Sequence, residues 1–447
     1  MNANRRQIIE SALFGTGYAG LKALATGLPV SVFLTRKALA EEALTCAAGD
    51  KAKAKYLIIS TSSSGDPLNA NVPGTYDFPD IAHAPPDPIT GANPMAATPF
   101  KLGSRDVTGA QIWSTLPQWV LDRTVFFHHA TLTNNHSNLQ KVLRVMGGTA
   151  KQEQLPSIIA KSTAPCLGCV QTEPVSIGAG EILTIYGRGL PNLPPTGLRD
   201  VLTRPKTGAY LGLSNLAALR DTTLDGIYKY AKEQGSPAQK QFIDGLAMSR
   251  KQSRSLSEDL LGMLTDIKSD GSDGQLLAAV ALIRMNVAPV IAMRFGFGGD
   301  NHTDADLLKS EVPGHVQSIP RIGALWETLK TFGLEDKVVF AAYNVFGRTL
   351  KKNGITGRDH WASHHATVMI GKSLKAGVVG GLEPKSGDYY ATPIDSKSGK
   401  GVPGGGDIAF GETLGAMSKT LAAAAGLSRT AVDTNVTSGK VVEAALS

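Results

Sequence analysis

The chain has 447 residues, 42% of them hydrophobic and 6% aromatic, with 49 glycines and a formal net charge of +7. This length is sufficient for a large core in one or two domains, and abundant glycine with few aromatics favours a loop-rich α/β protein over a helical bundle. Residues 1–40 contain five basic residues and one acid, so they contribute +4 and leave +3 for the rest of the chain. Because no basic run occurs elsewhere, we expect no nucleic-acid partner.

The N-terminal segment resembles an export signal. Arg5 and Arg6 precede a weakly polar stretch at 11–34, and the Ala-Leu-Ala sequence at 38–40 is typical of a cleavage site. The paired arginines indicate the twin-arginine route, so we expect a periplasmic or secreted protein whose signal is residues 1–40. The alternative is that the apolar stretch remains uncleaved and attaches the protein to a membrane.

The chain after the signal is predicted to comprise a linker at 41–54, a single α/β domain at 55–430 and a tail at 431–447. The apolar run at 55–60 predicts a buried first strand. This strand is followed by a loop rich in hydroxyl groups and turn-forming residues.

The next segments predict a mixture of loops, short strands and one helix. Residues 69–110 are rich in proline, asparagine and glycine, which predicts an extended surface excursion. Phe126–His129 predicts a second strand, and Leu139–Met146 predicts a helix. Residues 155–210 predict short strands that alternate with turns.

The second half of the domain has stronger periodicity. Apolar residues at three- and four-residue spacing predict a helical insertion at 213–270. Beyond it, helices are predicted at 275–286 and 312–332, and strands at 289–295, 337–343 and 366–370. Because crossover helices join parallel strands, this alternation predicts a mostly parallel central sheet with flanking helices.

The chain has three cysteines, Cys46, Cys166 and Cys169. In an exported protein they favour a structural disulfide, either between Cys166 and Cys169 or between one of these two and Cys46. A redox role is the other alternative, although Pro165 and Gly168 predict a turn where a redox motif would begin a helix.

Two acid–imidazole pairs lie next to predicted strands: Asp300 with His302, and Asp359 with His360. Ligands of a parallel sheet bind beyond the carboxyl ends of its strands, so we expect the two pairs to meet at one edge. Imidazole and carboxylate groups are common ligands of zinc, manganese and iron, which predicts a metal site. The alternative is a polar loop whose histidines donate hydrogen bonds to backbone carbonyls.

Three motifs in this region carry a family resemblance: Gly298–His302, Val345–Thr349 and Gly357–His360. They resemble an exported family known as domain of unknown function 1501, a relative of the alkaline phosphatase/sulfatase superfamily. The resemblance implies an alkaline phosphatase-like fold. It also implies two metal ions, held by aspartates and histidines, on either side of a serine or threonine nucleophile.

Positions after the predicted strands, together with the resemblance, indicate roles for individual residues at the predicted edge. Ser62, after the first strand, is a candidate nucleophile, and Arg348 is a candidate clamp for a phosphate or sulfate group. An ion pair with Asp359 is the other interpretation of Arg348. The candidate ligands of a divalent zinc, manganese or calcium ion are Asp300, His302, Asp359, His360, His136 and Asp66.

Two residues depart from the family pattern, since Val345 replaces a glutamate and Gly299 replaces a tryptophan. Fewer carboxylates favour one metal ion over two, or a degenerate site with none. Two functions are therefore open. The first is an exported metal-dependent hydrolase of a small phosphate or sulfate ester. The second is a periplasmic or surface protein that binds a protein partner and kept the fold without the chemistry.

Overall fold

The computed structural model describes residues 46, 51–169, 171–178, 183–190, 192–203, 258–352 and 356–447, together with scattered positions between 222 and 243. The expected export signal at 1–40, and most of the expected linker at 41–54 and helical insertion at 213–270, lie outside these residues. Among the helices that the structure describes, none combines the length and the apolar character needed to cross a membrane.

The strands, in chain order, are β1 (Tyr56–Ser62), β2 (Ala97–Leu102), β3 (Arg105–Ala110), β4 (Thr124–His129), β5 (Val175–Ser176), β6 (Thr184–Ile185), β7 (Arg188–Gly189), β8 (Val290–Met293), β9 (Val338–Asn344), β10 (Gly347–Arg348), β11 (His360–Trp361), β12 (His365–Gly371), β13 (Gly377–Val379), β14 (Leu382–Lys385) and β15 (Asp388–Ala391). The α-helices are α1 (Gln118–Leu121), α2 (Leu139–Leu143), α3 (Leu155–Leu167), α4 (Pro195–Thr203), α5 (Glu258–Thr265), α6 (Ser272–Arg284), α7 (Glu311–Thr331), α8 (Thr413–Ala424) and α9 (Arg429–Asn435).

Seven strands form a central sheet in the order β13-β4-β12-β9-β1-β8-β5. Neighbouring strands from β9 to β5 pair in parallel, and β13 pairs in parallel with β4. The expected mixed α/β architecture with a mostly parallel sheet is therefore confirmed. The strand expected at 366–370 corresponds to β12, which is antiparallel to both β4 and β9. Its expected parallel direction is wrong, because the described residues between β9 and β12 form the short β10–β11 pair instead of a crossover helix.

Helices cover both faces of this sheet, as β1 illustrates. All seven residues of β1 are buried. Side chains alternate between faces along a strand, so Ile58 packs into one core, with residues of α6 and α7. Leu57 and Ile59 pack into the opposite core, with residues of α2, α3 and α8. This two-sided burial explains why the strand reads as a continuous apolar run.

The short strands and turns expected at 155–210 are only partly present, since α3 occupies Leu155–Leu167. Pro156 lies in the first turn of this helix. Backbone N–H groups there have no intrahelical acceptor, so a proline without an N–H costs no hydrogen bond. Gly168 ends the helix in the left-handed region with a φ of 68°. Pro156 and Gly168 therefore delimit a helix here, Pro165 lies inside it, and Cys166 lies in its last turn.

The segment expected as a surface excursion at 69–110 is partly buried. It begins within the 3₁₀ helix Pro67–Ala70, whose four residues are all buried, and it contains the antiparallel hairpin β2–β3. The side chain of Asn69 accepts from the backbone N–H of Arg348 at 2.9 Å and donates to its carbonyl at 2.8 Å. The polar composition of the segment thus supports buried hydrogen bonding as well as loops.

The segment expected as a tail at 431–447 is packed into the domain. Val442 is fully buried, and its N–H donates to the hydroxyl of Thr420 in α8 at 3.0 Å. The N–H of Lys375 donates to the carbonyl of Ala445 at 3.0 Å. The apolar residues of this segment therefore complete the core that contains α8.

Cys46 and Cys166 form a disulfide bond, which is one of the pairings left open by the sequence. Cys169 has a free thiol, and its Sγ donates to Oδ1 of Asn286 at 3.1 Å. Burial raises the pKa of the Cys169 thiol. Since the thiolate is the reactive form, this environment disfavours a redox role for Cys169.

Candidate functional site

The loops that carry the predicted site residues leave the sheet at one edge. The parallel strands β1 and β9 end there at Ser62 and Asn344, and β4, which runs the same way, ends at His129. The antiparallel strand β12 begins at this edge with His365, which pairs with His129. Residues from loops after several strands, and from the loop before β12, can therefore meet.

Three of the six expected metal ligands converge. His136, Asp300 and His360 each offer one ligand atom, and these atoms all lie within 4.8 Å of one another. His136 begins a short 3₁₀ helix after β4, Asp300 lies in the loop after β8, and His360 lies in β11. The sheet thus brings together side chains that are far apart in the sequence.

Backbone carbonyls orient the two imidazoles. Nδ1 of His136 donates to the carbonyl of Ser63 at 2.7 Å, and Nδ1 of His360 donates to the carbonyl of Asn134 at 2.7 Å. Because a carbonyl can only accept, the proton of each neutral ring lies on Nδ1 and the lone pair on Nε2. A hydrogen bond of this kind to the second ring nitrogen is the usual companion of metal ligation.

The Nε2 atom of His360 is buried and has no hydrogen-bond partner in the part of the chain that the structure describes. Burial and the nearby Arg348 guanidinium lower the pKa of His360, so its imidazole is neutral at pH 7. An unprotonated, unpartnered nitrogen directed at two other ligand atoms fits a divalent metal ion.

Asp300 supplies the negative charge of this group. Partial burial alone would raise the pKa of Asp300, but the guanidinium of Arg348 lowers it below its usual range. The side chain of Asp300 is 50% exposed and that of His136 is 38% exposed. Because two of the three ligand side chains are open to solvent, a bound ion would have positions left for water or a substrate, as in catalytic metal sites.

Arg348 lies beside this group but is fully buried. Its Nη2 atom donates to Oδ1 of Asp300 at 2.9 Å and to the carbonyl of Ser64 at 2.7 Å, and its Nε donates to the carbonyl of Gly65. The expected direct ion pair with Asp359 is therefore replaced by one with Asp300. Because these donors are already used, Arg348 is poorly placed to clamp an ester group.

His302 and Asp359 lie next to both Arg348 and the converging group, and the ring centroid of His302 lies 4.6 Å from that of His360. Nδ1 of His302 donates to Oδ1 of Asp359 at 3.0 Å. Nε2 of His302 lies 3.3 Å from Nη1 of Arg348 and 3.2 Å from Oδ1 of Asp300. The two expected acid–imidazole pairs do meet, but His302 and Asp359 lie outside the group of three converging ligand atoms.

Asp66 and Ser62 lie beneath the site loops. Both side chains are buried, and a carboxylate oxygen of Asp66 accepts from the N–H of Gly299 at 2.6 Å. Burial raises the pKa of Asp66 despite hydrogen bonds from Ser62 and Gly299. The Ser62 hydroxyl also accepts from the N–H of Ser64 at 3.1 Å. Neither residue joins the converging group, and these contacts account for Ser62 as part of the turn after β1.

Two buried residues that the sequence analysis missed connect the site loops. Arg358 forms a two-point ion pair with Glu311, at 2.8 Å and 3.1 Å, and both side chains are fully buried. Glu311, the first residue of α7, also accepts from Nδ2 of Asn301 at 2.9 Å. This pair therefore joins the loop of Asp300 to the loop of His360. The position of Arg358 inside the Gly-Arg-Asp-His motif was the sequence signal that could have singled out this residue. Its partner Glu311 could not be identified from the sequence spacing.

The aromatic ring of Phe346, also missed, forms the floor of the site. Its centroid lies 4.9 Å from that of His136 and 4.5 Å from that of His360. The neighbouring histidines His364 and His365 do not reach the site, since both are fully buried against His128 and His129.

Comparison with known proteins agrees with the motif resemblance. No curated protein matches the chain at a significant level. Residues 223–396, which include Asp300, Arg348 and His360, match the model of the family described as "Protein of unknown function (DUF1501)", and this match supports the resemblance of the chain to that family.

Proposed function

We propose that this protein is an exported, metal-dependent hydrolase of phosphate or sulfate esters, related to the alkaline phosphatase/sulfatase superfamily. The observation that carries the proposal is the convergence of His136, Asp300 and His360 within 4.8 Å. The fold relationship and the twin-arginine export route are part of the same proposal; the first rests on the motif resemblance and the second on the paired arginines of the N-terminal segment.

A divalent ion held by these three side chains would polarise an ester oxygen and lower the pKa of a water molecule. His136 and His360 would bind it through Nε2, because their Nδ1–H groups are committed to the carbonyls of Ser63 and Asn134. Since Ser62 is buried and bonded within its own turn, we propose that water attacks the phosphorus or sulfur directly. The bond from that atom to the ester oxygen breaks, and the alcohol leaves with a proton from the attacking water.

The anionic group of the substrate needs a cation other than Arg348. Arg294 is half-buried, and its Nη2 donates to the hydroxyl of Ser64 at 2.9 Å. The carbonyl of the same serine accepts from Arg348, so Arg294 lies on the loop that borders the site. We propose that its remaining guanidinium donors bind the phosphate or sulfate group.

Metal analysis combined with a phosphatase and sulfatase substrate screen tests the proposal. The unchelated protein is expected to contain about one equivalent of divalent metal, and Asp300→Asn is expected to lose both metal and turnover. Asp306→Asn is the matched control, because Asp306 lies in the same loop and accepts only from the N–H of Leu308 among the bonds that the structure describes. A content of less than about a tenth of an equivalent of divalent metal in the unaltered protein would contradict the proposal.

The non-catalytic binding protein is the second candidate, and the buried Ser62 with Val345 in place of a carboxylate favours it. In that case the partner is another periplasmic or surface protein. Full metal occupancy with no turnover of any ester, and no difference between Asp300→Asn and Asp306→Asn in the protein's biological role, would favour this candidate.

A further inference from the structure

We propose that the guanidinium of Arg348 takes the place of a second metal ion, so that the site binds one divalent cation beside a permanent protein cation. This inference rests on the proposed metal site and assigns its stoichiometry and charge. It follows from the surroundings of Arg348, which consist largely of groups that ligate metals.

Asp300 connects the two cationic positions. Its Oδ2 lies 3.5 Å from Nε2 of His136, within the converging group, whereas its Oδ1 lies 2.9 Å from Nη2 of Arg348. A carboxylate placed this way could bind a divalent ion through one oxygen while the other oxygen pairs with the guanidinium.

The remaining neighbours of the guanidinium are also metal-ligating groups. Nε2 of His302 lies 3.3 Å from Nη1, and Nδ1 of the same ring donates to Asp359. The carbonyls of Ser64 and Gly65 accept from Nη2 and Nε. Carboxylate, imidazole and carbonyl groups together would be a competent ligand set for a hard or borderline divalent ion.

The guanidinium is held rigidly in this position. Arg348 is fully buried, and both its backbone N–H and carbonyl bond to the side chain of Asn69. The preceding Gly347 packs so closely that a Cβ there would lie 2.0 Å from the carbonyl oxygen of His364. Arg348 therefore has no room to move aside for a second ion.

The formal charges agree with one ion. Asp300 and Asp359 carry two negative charges and Arg348 one positive charge, and one divalent ion makes the total +1. A net positive site attracts an anionic ester. A second divalent ion beside the buried guanidinium would add strong repulsion between two cations.

Metal stoichiometry in Arg348 variants tests the inference. Chelator-treated protein is titrated with Mn²⁺ or Zn²⁺ alone, and bound metal is counted by elemental analysis after desalting. We expect one equivalent for the unaltered protein and for Arg348→Lys, which keeps the charge. We expect two equivalents for Arg348→Ala, because removal of the guanidinium leaves the groups around it available to a second ion. Damage to the fold alone would lower the count and would not raise it.

The possible outcomes separate this inference from the function on which it rests. Two equivalents in the unaltered protein, or a single equivalent in folded Arg348→Ala, would overturn the inference and leave a metal hydrolase possible. No metal in any variant would overturn the proposed function. If Arg348→Ala does not fold, anomalous diffraction from crystals of the unaltered protein soaked in Mn²⁺ decides the question. One peak is expected at the site, and two peaks about 4 Å apart would contradict the inference.

Discussion

His364 donates a hydrogen bond from its Nε2 to Nδ1 of His128 at 2.9 Å, in a fully buried part of the molecule. The direction of this hydrogen bond follows from the other partners of the two rings. Nε2 of His128 must donate to the carbonyl of Pro73, so its Nδ1 can only accept. At the other end, the Asn69 amide nitrogen lies 3.2 Å from Nδ1 of His364 and donates to it. All these rings are therefore neutral in the folded protein.

This arrangement predicts acid sensitivity. Burial lowers the pKa of His128 to about 4 and that of His129 to about 4, and it lowers the pKa of His364 and His365 well below the ordinary value. The unfolded chain protonates these four histidines near pH 6.5, whereas the folded chain keeps them neutral at that pH. Stability is therefore complete above pH 6.5 and is lost as the pH falls from 6.5 towards 4.

Urea unfolding between pH 8 and pH 4.5 measures this effect. Replacing His128 with glutamine is expected to reduce the slope of the unfolding free energy against pH by up to about 1.4 kcal/mol per pH unit. An unchanged slope in the variant would show that His128 is protonated in the folded protein.

The ion pair between Arg358 and Glu311 predicts a large loss of stability on removal of one partner. Glu311→Gln leaves the buried guanidinium of Arg358 without its counter-charge, at an expected cost of about 3–5 kcal/mol in the free energy of unfolding. Asp273→Asn is the control, because it breaks an exposed ion pair with Arg321 and should cost less than about 1 kcal/mol. Equal losses in the two variants, measured by urea unfolding, would contradict the assigned role.

Arg294 is predicted to determine the affinity for the anionic ester. Arg294→Gln is expected to raise KM by about 10- to 100-fold, in line with the loss of charged hydrogen bonds, while the metal content stays at the unaltered level. Arg321→Gln provides a surface arginine for comparison. An unchanged KM with the best substrate from the screen would rule out this contact.

The disulfide predicts one free thiol per chain in denatured, unreduced protein, from Cys169. The bond links residues 120 positions apart, so Cys46→Ser is expected to lower stability by about 4 kcal/mol. Cys169→Ser removes a sulfur outside the bond and is the control. Three free thiols, or equal melting temperatures for the two variants, would contradict the pairing.

Local patterns were sufficient to predict the main strands and several helices. The apolar run at 55–60 corresponds to β1, and the periodicity at 312–332 corresponds to α7. These predictions succeed because the spacing of apolar residues within a segment indicates whether it forms a buried strand or a helix with one buried face. The helix at Leu155–Leu167 was missed because its prolines were interpreted as turn signals, although Pro156 lies in the first turn, where a helix tolerates proline, and Pro165 lies inside the helix.

The sequence by itself determined the main strands of the sheet, several of its helices, and that acid–imidazole pairs lie next to predicted strands. Only the tertiary structure decided that β12 runs antiparallel and that Arg348 bonds to Asp300 instead of Asp359. It also decided that His136, seven residues beyond β4, joins Asp300 and His360. The physical reason is that strand direction and side-chain partners depend on how distant segments pack, whereas periodicity reports only which face of a segment is buried.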